Sequence, residues 1–275
     1  EMLYPVRARR CVSMARRDSG LLRRRFMLLV LPMVLGVAVV VGIDALTQSL
    51  LQVVDANARI LLSGDASVTG RQPFDAETQT LIDQLRPERR SQEIRTSSVV
   101  YFPQSEKYRL CQLRAVDQNF PLFGELLSEP TGAVNALRSD AGGSDDGVLI
   151  EESLRLQFGL NIASEIRIGS ESFRVAGILK SVPGEIVATS YLGPRIYLTY
   201  SAIGRTGLIK KGSLARFRSY LAFGADTDSL ELLSKLRPEL VKRGLQVDTA
   251  SERVRNLGST VRQVSSMLSL AGLCS

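Results

Sequence analysis

The sequence predicts an α+β fold attached to a membrane. It has an N-terminal transmembrane helix, an extracytoplasmic mixed α/β domain framed by two stalk helices, and the start of a truncated second transmembrane helix. Three observations predict it. Residues 26–43, FMLLVLPMVLGVAVVVGI, carry no charge. Just before them stand Arg7, Arg9, Arg10, Arg16, Arg17, Arg23, Arg24 and Arg25. Beyond them, alternating strand patterns interleave with helical ones to about residue 250.

At about 1.5 Å rise per residue, the uncharged run spans roughly 27 Å, close to the hydrocarbon core of about 30 Å. Arginine is retained on the cytoplasmic side of a membrane. Residues 1–25 are therefore read as a cytoplasmic Arg-rich N-terminus, 26–43 as the transmembrane helix, and everything after Asp44 as outside. A cleaved signal peptide is the competing reading. Its apolar region is usually about 7–15 residues and ends in small residues, whereas this run is longer and has Val41 and Ile43 at that place. Pro32 inside the span is tolerated, as prolines are in membrane helices.

Residues 44–63 continue as a stalk helix. From Ile43, the residues Leu46, Leu50, Val53, Asn57 and Ile60 step by three and four, the seam of a coiled coil, and Ser63-Gly64-Asp65 ends it. An ordinary amphipathic helix on the domain surface is the alternative for this segment. Residues 251–275 carry a second seam, Val254, Leu257, Val261, Val264 and Leu268, which runs into MLSLAGLCS; this is read as a second stalk helix and the start of the truncated second span. Buried against each other antiparallel, the seams would bring Val53 or Asn57 near Val261 or Leu257.

Residues 64–250 are expected to form the periplasmic α+β domain, as one unit of one or two lobes. Strands are expected at 66–69, 96–102, 109–116, 147–150, 165–168, 172–179, 195–199, 216–223 and 245–247. One helix starts at the N-cap Asp75, runs to about Leu85 and is stopped by Pro87. A second covers 151–158 and is closed by Gly159. A short one begins at 201–203, and a fourth covers 228–243, interrupted at Pro238 and closed by Gly244. Gly169-Ser170 between two alternating runs signals a tight hairpin, with Ile166, Ile168, Phe173, Val175 and Ile178 pointing inward.

Composition narrows the function. The net charge of +7 is accounted for by the N-terminal arginines, so it reports membrane topology and anionic headgroups; no nucleic-acid partner is expected. Of the three cysteines, Cys11, Cys111 and Cys274 fall inside, outside and at the membrane, so no disulfide framework is expected, and Cys111 reads as a small apolar strand residue. Without histidine the chain lacks the commonest general base, the Ser-His-Asp arrangement and most zinc sites. The acidic pairs Asp145-Asp146 and Glu151-Glu152 are adjacent in sequence, so each points its carboxylates apart, and Asp145-Asp146 sits in AGGSDDG, a flexible turn. Neither GxxxxGK[ST] nor GxGxxG occurs, and no EF-hand series follows the aspartates. No catalytic, cofactor-binding or metal-binding residue is therefore expected, no cofactor is expected, and the chain is read as not an enzyme.

Several stretches resemble a known family. Residues 15–43, ARRDSGLLRRRFMLLVLPMVLGVAVVVGI, resemble the first membrane helix of FtsX/MacB-like ABC transporter permeases, and ILLSGDASVTG at 60–70 resembles the entry to their extracytoplasmic domain. LRAVDQNFPLFGEL at 113–126 is the most specific piece, similar to the large predicted permeases of the YbbP type. GVLIEESLRLQFGLNIASEIRIGSESFRVAGIL at 147–179 resembles the strand–helix–hairpin unit of the wider family, and GPRIYLTYSAI at 193–203 fits as well. Where the family often has a V-G-D turn, Ala163-Ser164-Glu165 stands here, so that turn is expected to differ.

The resemblance implies the N-terminal portion of a permease subunit in a bacterial inner membrane. It implies a cytoplasmic ABC ATPase as partner, contact with membrane lipids, a periplasmic partner protein, and mechanical coupling to the extraction or export of a hydrophobic or lipid-like compound. The further membrane helices of the family are expected beyond this stretch. A membrane-anchored extracytoplasmic sensor domain of a signalling receptor shares the in–out helix and the α/β domain and is the alternative; an anchored hydrolase would need the catalytic groups that are missing.

Overall fold

A computed structural model of the chain describes residues 58–138, 147–182, 193–210, 212–224 and 229–252, with isolated helical positions between 30 and 49 and between 255 and 267. The chain divides into two compact units, one made of 1–56 with 255–275, the other of 57–254. Among the described residues no helix is long and apolar enough to cross a membrane. Most of the apolar run 26–43, nearly all seam positions of both stalk segments, the Asp145-Asp146 turn, Cys11 and Cys274 lie outside the described residues. In the first unit, the described helical residues Leu31, Val34 and Val41 are exposed.

The second unit begins with α1 (Ala58–Leu62) and strand β1 (Ala66–Gly70). Helix α2 (Ala76–Gln84) starts where Asp75 accepts a hydrogen bond from the Thr78 backbone N–H at 2.8 Å, the expected N-cap. The long β2 (Arg89–Phe102) and β3 (Lys107–Val116) form a hairpin, followed by the short β4 (Leu127–Glu129). Then come β5 (Gly147–Glu151), α3 (Glu152–Phe158), β6 (Glu165–Ile168) and β7 (Glu171–Ser181). The chain closes with β8 (Arg195–Thr199), α4 (Ala202–Arg205), β9 (Arg216–Ala222), α5 (Ser229–Lys242) and β10 (Gln246–Thr249).

These ten strands form one sheet in the order β10-β1-β9-β2-β3-β8-β5-β7-β4. Strand β6 pairs with both β7 and β2, so β2, β3, β8, β5, β7 and β6 close into a ring. Every strand of that ring contributes to one core, among them Val100, Leu113, Ile196, Ile150, Val175 and Ile166. Helix α3 plugs it with Leu154 and Phe158, the latter stacked on Phe102 at 4.2 Å between ring centroids. The inward set expected on the hairpin, Ile166, Ile168, Phe173, Val175 and Ile178, is buried there. Gly169 turns that hairpin at φ +60°, and a Cβ on it would meet the Thr206 carbonyl oxygen at 2.1 Å, so both backbone and space demand glycine. The remaining strands β10, β1 and β9 form an open wing beside β2, packed against α2 and α5 through Ile82, Leu85, Leu233 and Leu240.

Three sequence expectations are corrected. Strand β2 begins at Arg89 rather than 96, because Ser91 and Glu93 are buried polar residues that periodicity reads as surface. Helix α5 runs through Pro238 without interruption. Proline inside a helix costs about 3 kcal/mol, and the buried Leu233 and Leu240 on either side offset it by packing on the wing. The sequence predicts no strand at 127–129, where the three-residue β4 follows a loop.

Candidate functional site

The hairpin β2–β3 sets alternate residues of its two strands on the outside of the ring: Glu93 opposite Val116, Arg95 opposite Arg114, Val99 opposite Leu110, Tyr101 opposite Tyr108. At the base of the hairpin this outer face is roofed by residues 117–138. Phe120, Leu122, Leu126 and Leu137 pack there on Val116, Tyr197 and Tyr220.

Under that roof lies a charged cluster. Glu93 is fully buried. Arg114 Nε donates to Glu93 Oε1, and Arg95 Nε lies 2.8 Å from the same oxygen. Tyr220 Oη donates to Glu93 Oε2 at 2.5 Å and accepts from Arg95 Nη2 at 3.1 Å. Arg114 Nη1 donates to Tyr197 Oη, and the Arg114 guanidinium lies 4.9 Å from the Tyr197 ring centroid and 5.6 Å from that of Phe120. Burial alone would raise the Glu93 carboxyl, but the Arg114 and Arg95 charges outweigh it and hold the group well below its ordinary value of 4.5. Burial pushes the Tyr197 phenol up to about 12.

The roof opens with the most specific stretch of the sequence, 113–126, and the structure shows what its residues do. The Asp117 carboxylate accepts from Ser91 Oγ at 2.6 Å, the Gln92 N–H at 2.7 Å and the Asn119 N–H at 3.1 Å, which fastens the turn to β2. Burial raises the Asp117 carboxyl despite these bonds. The Phe120–Pro121 peptide is cis, and Phe120 lies 5.7 Å from the Tyr220 ring. The Phe123 ring meets two guanidinium groups, Arg89 at 5.3 Å and Arg59 at 5.8 Å from its centroid. Arg59 belongs to α1, and its Nε lies 2.8 Å from Asp65 Oδ1. Asp65 in turn accepts from the Phe223 N–H through Oδ2 at 2.9 Å and from the Ala250 N–H through its carbonyl at 2.9 Å. One residue thus ties the entry helix, the end of β9 and the exit after β10.

The expected divergence of Glu151 and Glu152 is seen. Glu151 pairs with Arg195 at 2.9 Å, while Glu152 turns to Lys180 at 2.6 Å and Arg155 at 3.1 Å. Cys111 is buried and its thiol is pushed up to about 12, which makes it a packing residue. Among the described residues no group of three acidic or cysteine side chains is placed to hold a metal ion. A cleft of about 190 Å³ opens beside Asp117, Arg138, Thr199 and Tyr200 at the carboxyl ends of β3 and β8. The arrangement as a whole holds charge and fixes positions. The Glu93 cluster escaped sequence reasoning, although its signal was present: polar residues Ser91, Glu93 and Arg95 at period two, opposite Arg114.

Over 170 residues the chain is 26% identical to the uncharacterized ABC transporter permease YbbP of Escherichia coli (strain K12), an alignment that covers 60% of this chain and 19% of the relative. The chain therefore spans about a fifth of that relative's length. Among solved structures, the periplasmic region of MacB from Actinobacillus actinomycetemcomitans is similar at 13% identity, covering 72% of this chain and 95% of that one with a TM-score of 0.43. The extracellular domain of the noncanonic ABC-type transporter YknZ from Gram-positive bacteria is similar at 14% identity, covering 67% of this chain and all of the other with a TM-score of 0.40. The model of one family matches residues 26–238, most of the chain. The chain belongs to the family of the MacB-like periplasmic core domain.

Proposed function

We propose that this chain is the N-terminal portion of a permease subunit of a bacterial ABC transporter. Residues 26–43 span the inner membrane with Arg25 inside and Asp44 outside, and the domain of 64–250 stands in the periplasm on stalk helices 44–63 and 251–275. The subunit couples a cytoplasmic ABC ATPase mechanically to the extraction or export of a hydrophobic or lipid-like compound and contributes no catalysis of its own.

The observation that carries this reading is where the domain is entered and left. Strand β1, which follows the entry helix, and strand β10, which precedes the exit, are antiparallel neighbours, with Ala66 opposite Thr249. Both ends are pinned by ion pairs. Arg59 holds Asp65 at the entrance; at the exit, Glu252 pairs with Arg237 of α5 and accepts from the Thr249 N–H at 3.2 Å. A shift of either flanking helix would thus reach the sheet at one place. The family match beginning at residue 26 also supports reading the apolar run together with the domain, as do the exposed apolar side chains of Leu31, Val34 and Val41, which suit lipid.

A reporter active only in the periplasm, fused after residue 70, tests the topology and should give signal; activity of a cytoplasm-only reporter at that junction would reverse it. Co-purification of the permease with an ATPase subunit from detergent tests the partner, and a permease isolated without any ATPase would remove that part of the reading.

A further inference from the structure

We infer that the outer face of the sheet binds a phosphate group between Arg95, Arg216 and Arg218. The cross-strand register puts three arginines in one row: Arg114 of β3 opposite Arg95 of β2, and Arg95 opposite Arg216 of β9. Arg218 stands in the next row, opposite Glu93. Like charges directly opposite each other destabilise a sheet, so such a row calls for a counter-ion. Glu93 does not suffice, because it is buried and already shared between Arg114 and Arg95. Arg216 and Arg218 have no ion pair among the described residues. Asp248, on the same face of β10, accepts from Gln246 Nε2 at 3.3 Å instead.

The donors converge. Arg95 Nη2 and Arg218 Nη1 both donate to Tyr220 Oη, at 3.1 and 3.5 Å, which brings two guanidinium groups to one atom. Thr69 aims Arg218, its Oγ1 accepting from Arg218 Nε at 2.9 Å, and Glu93 aims Arg95, its Oε1 lying 2.8 Å from Arg95 Nε. Arg95 Nη1 and Arg218 Nη2 are left without a hydrogen bond among the described residues. Arg95 and Arg218 are half-buried and Arg216 is exposed, so two forks are held in place while all three can be reached from water. Guanidinium forks match the oxygens of both carboxylates and phosphates. A phosphate monoester brings three oxygens and a charge of about −1.5 to −2 near pH 7 to a row that one carboxylate cannot neutralise. Such a site goes beyond the proposed function: it needs the sheet and not the ATPase, so either reading can fail alone.

The test titrates the 275-residue chain in an uncharged detergent with glycerol 3-phosphate, and separately with dihexanoyl phosphatidic acid, by calorimetry in phosphate-free buffer. Both should bind, more weakly at higher salt, and acetate at equal concentration should not displace them. Arg216→Gln should weaken binding about tenfold while leaving the unfolding midpoint unchanged, and Arg218→Gln should weaken it as much. Arg109→Gln, the same charge change on the other face of β3, opposite the buried Val100, should leave binding as it was. Tighter binding of the phosphatidic acid than of glycerol 3-phosphate would support the site as one for a lipid headgroup, and equal binding as one for a soluble phosphate ester. No binding of either probe, displacement by acetate, indifference to Arg216→Gln, or an equal loss with Arg109→Gln would overturn the inference.

Discussion

The two ends of the β2–β3 hairpin share one cross-strand register and invert the usual rule. The base buries charge, with Glu93 and Arg114 under the 117–138 roof and Arg95 half-exposed beside them, while the tip exposes Val99, Tyr108 and Leu110, with Tyr101 half-buried among them. The difference lies in what each end has for a partner. At the base every ion is met by an opposite charge or a phenol, so burial is tolerated. At the tip none of the described residues covers Val99, Tyr108 and Leu110, which burial would stabilise by about 1.5–3 kcal/mol each. Charge is inside because it is paired, and the apolar side chains of the tip stand in water.

The largest effect that could break this comparison is Glu93→Ala. It leaves the buried Arg114 guanidinium without its carboxylate, next to the half-exposed Arg95, and it should cost about 3–5 kcal/mol in denaturant unfolding. A loss below about 1 kcal/mol would mean that water reaches the cluster. The acid limb sharpens the point. The folded Glu93 carboxyl lies below its unfolded value, so its stabilisation is fully present above the ordinary carboxylate range and drains away as pH falls toward the folded value. Glu93→Gln should flatten that limb.

Val175→Ala is next. Val175 is buried inside the ring, and the truncation should cost about 1–3 kcal/mol; an unchanged melting temperature would place the strand outside the core. Ala163→Gly should move the other way. Ala163 holds a left-handed φ of +66° that glycine adopts freely, so the variant should stabilise by about 1 kcal/mol. Smallest of all, Tyr108→Ser at the open tip should change stability by no more than about 0.5 kcal/mol. A large loss there would show that the tip is packed, and the contrast between the two ends would fall.

Local chemistry was legible in the sequence wherever a single residue dictates backbone geometry. Asp75 caps α2, Gly159 closes α3 at φ +63°, and Gly169 turns the β6–β7 hairpin as its dipeptide predicts. At Ala163-Ser164-Glu165, where the family turn was expected to differ, the structure puts an alanine in left-handed backbone at φ +66°. What stayed hidden depends on partners far along the chain. Ser91 and Glu93 read as surface residues because the groups that satisfy them, Asp117, Arg114 and Tyr220, lie 26, 21 and 127 positions away. Closure of the ring by β6 rests on two residue pairs to β2, which no periodicity encodes. The 113–126 stretch stood out as a resemblance, but its work as a roof over buried charge needed the fold.

The coupled-helix reading is tested most directly by cysteine pairs across the proposed stalk. Cysteine at position 53 or 57 would be combined with cysteine at 257 or 261, in membranes containing the full-length permease. At least one of the four combinations should crosslink on mild oxidation, and its yield should change when the partner ATPase binds nucleotide. Failure of all four beside a successful control pair at Ala66 and Thr249, which the β1–β10 register places opposite each other, would contradict the account.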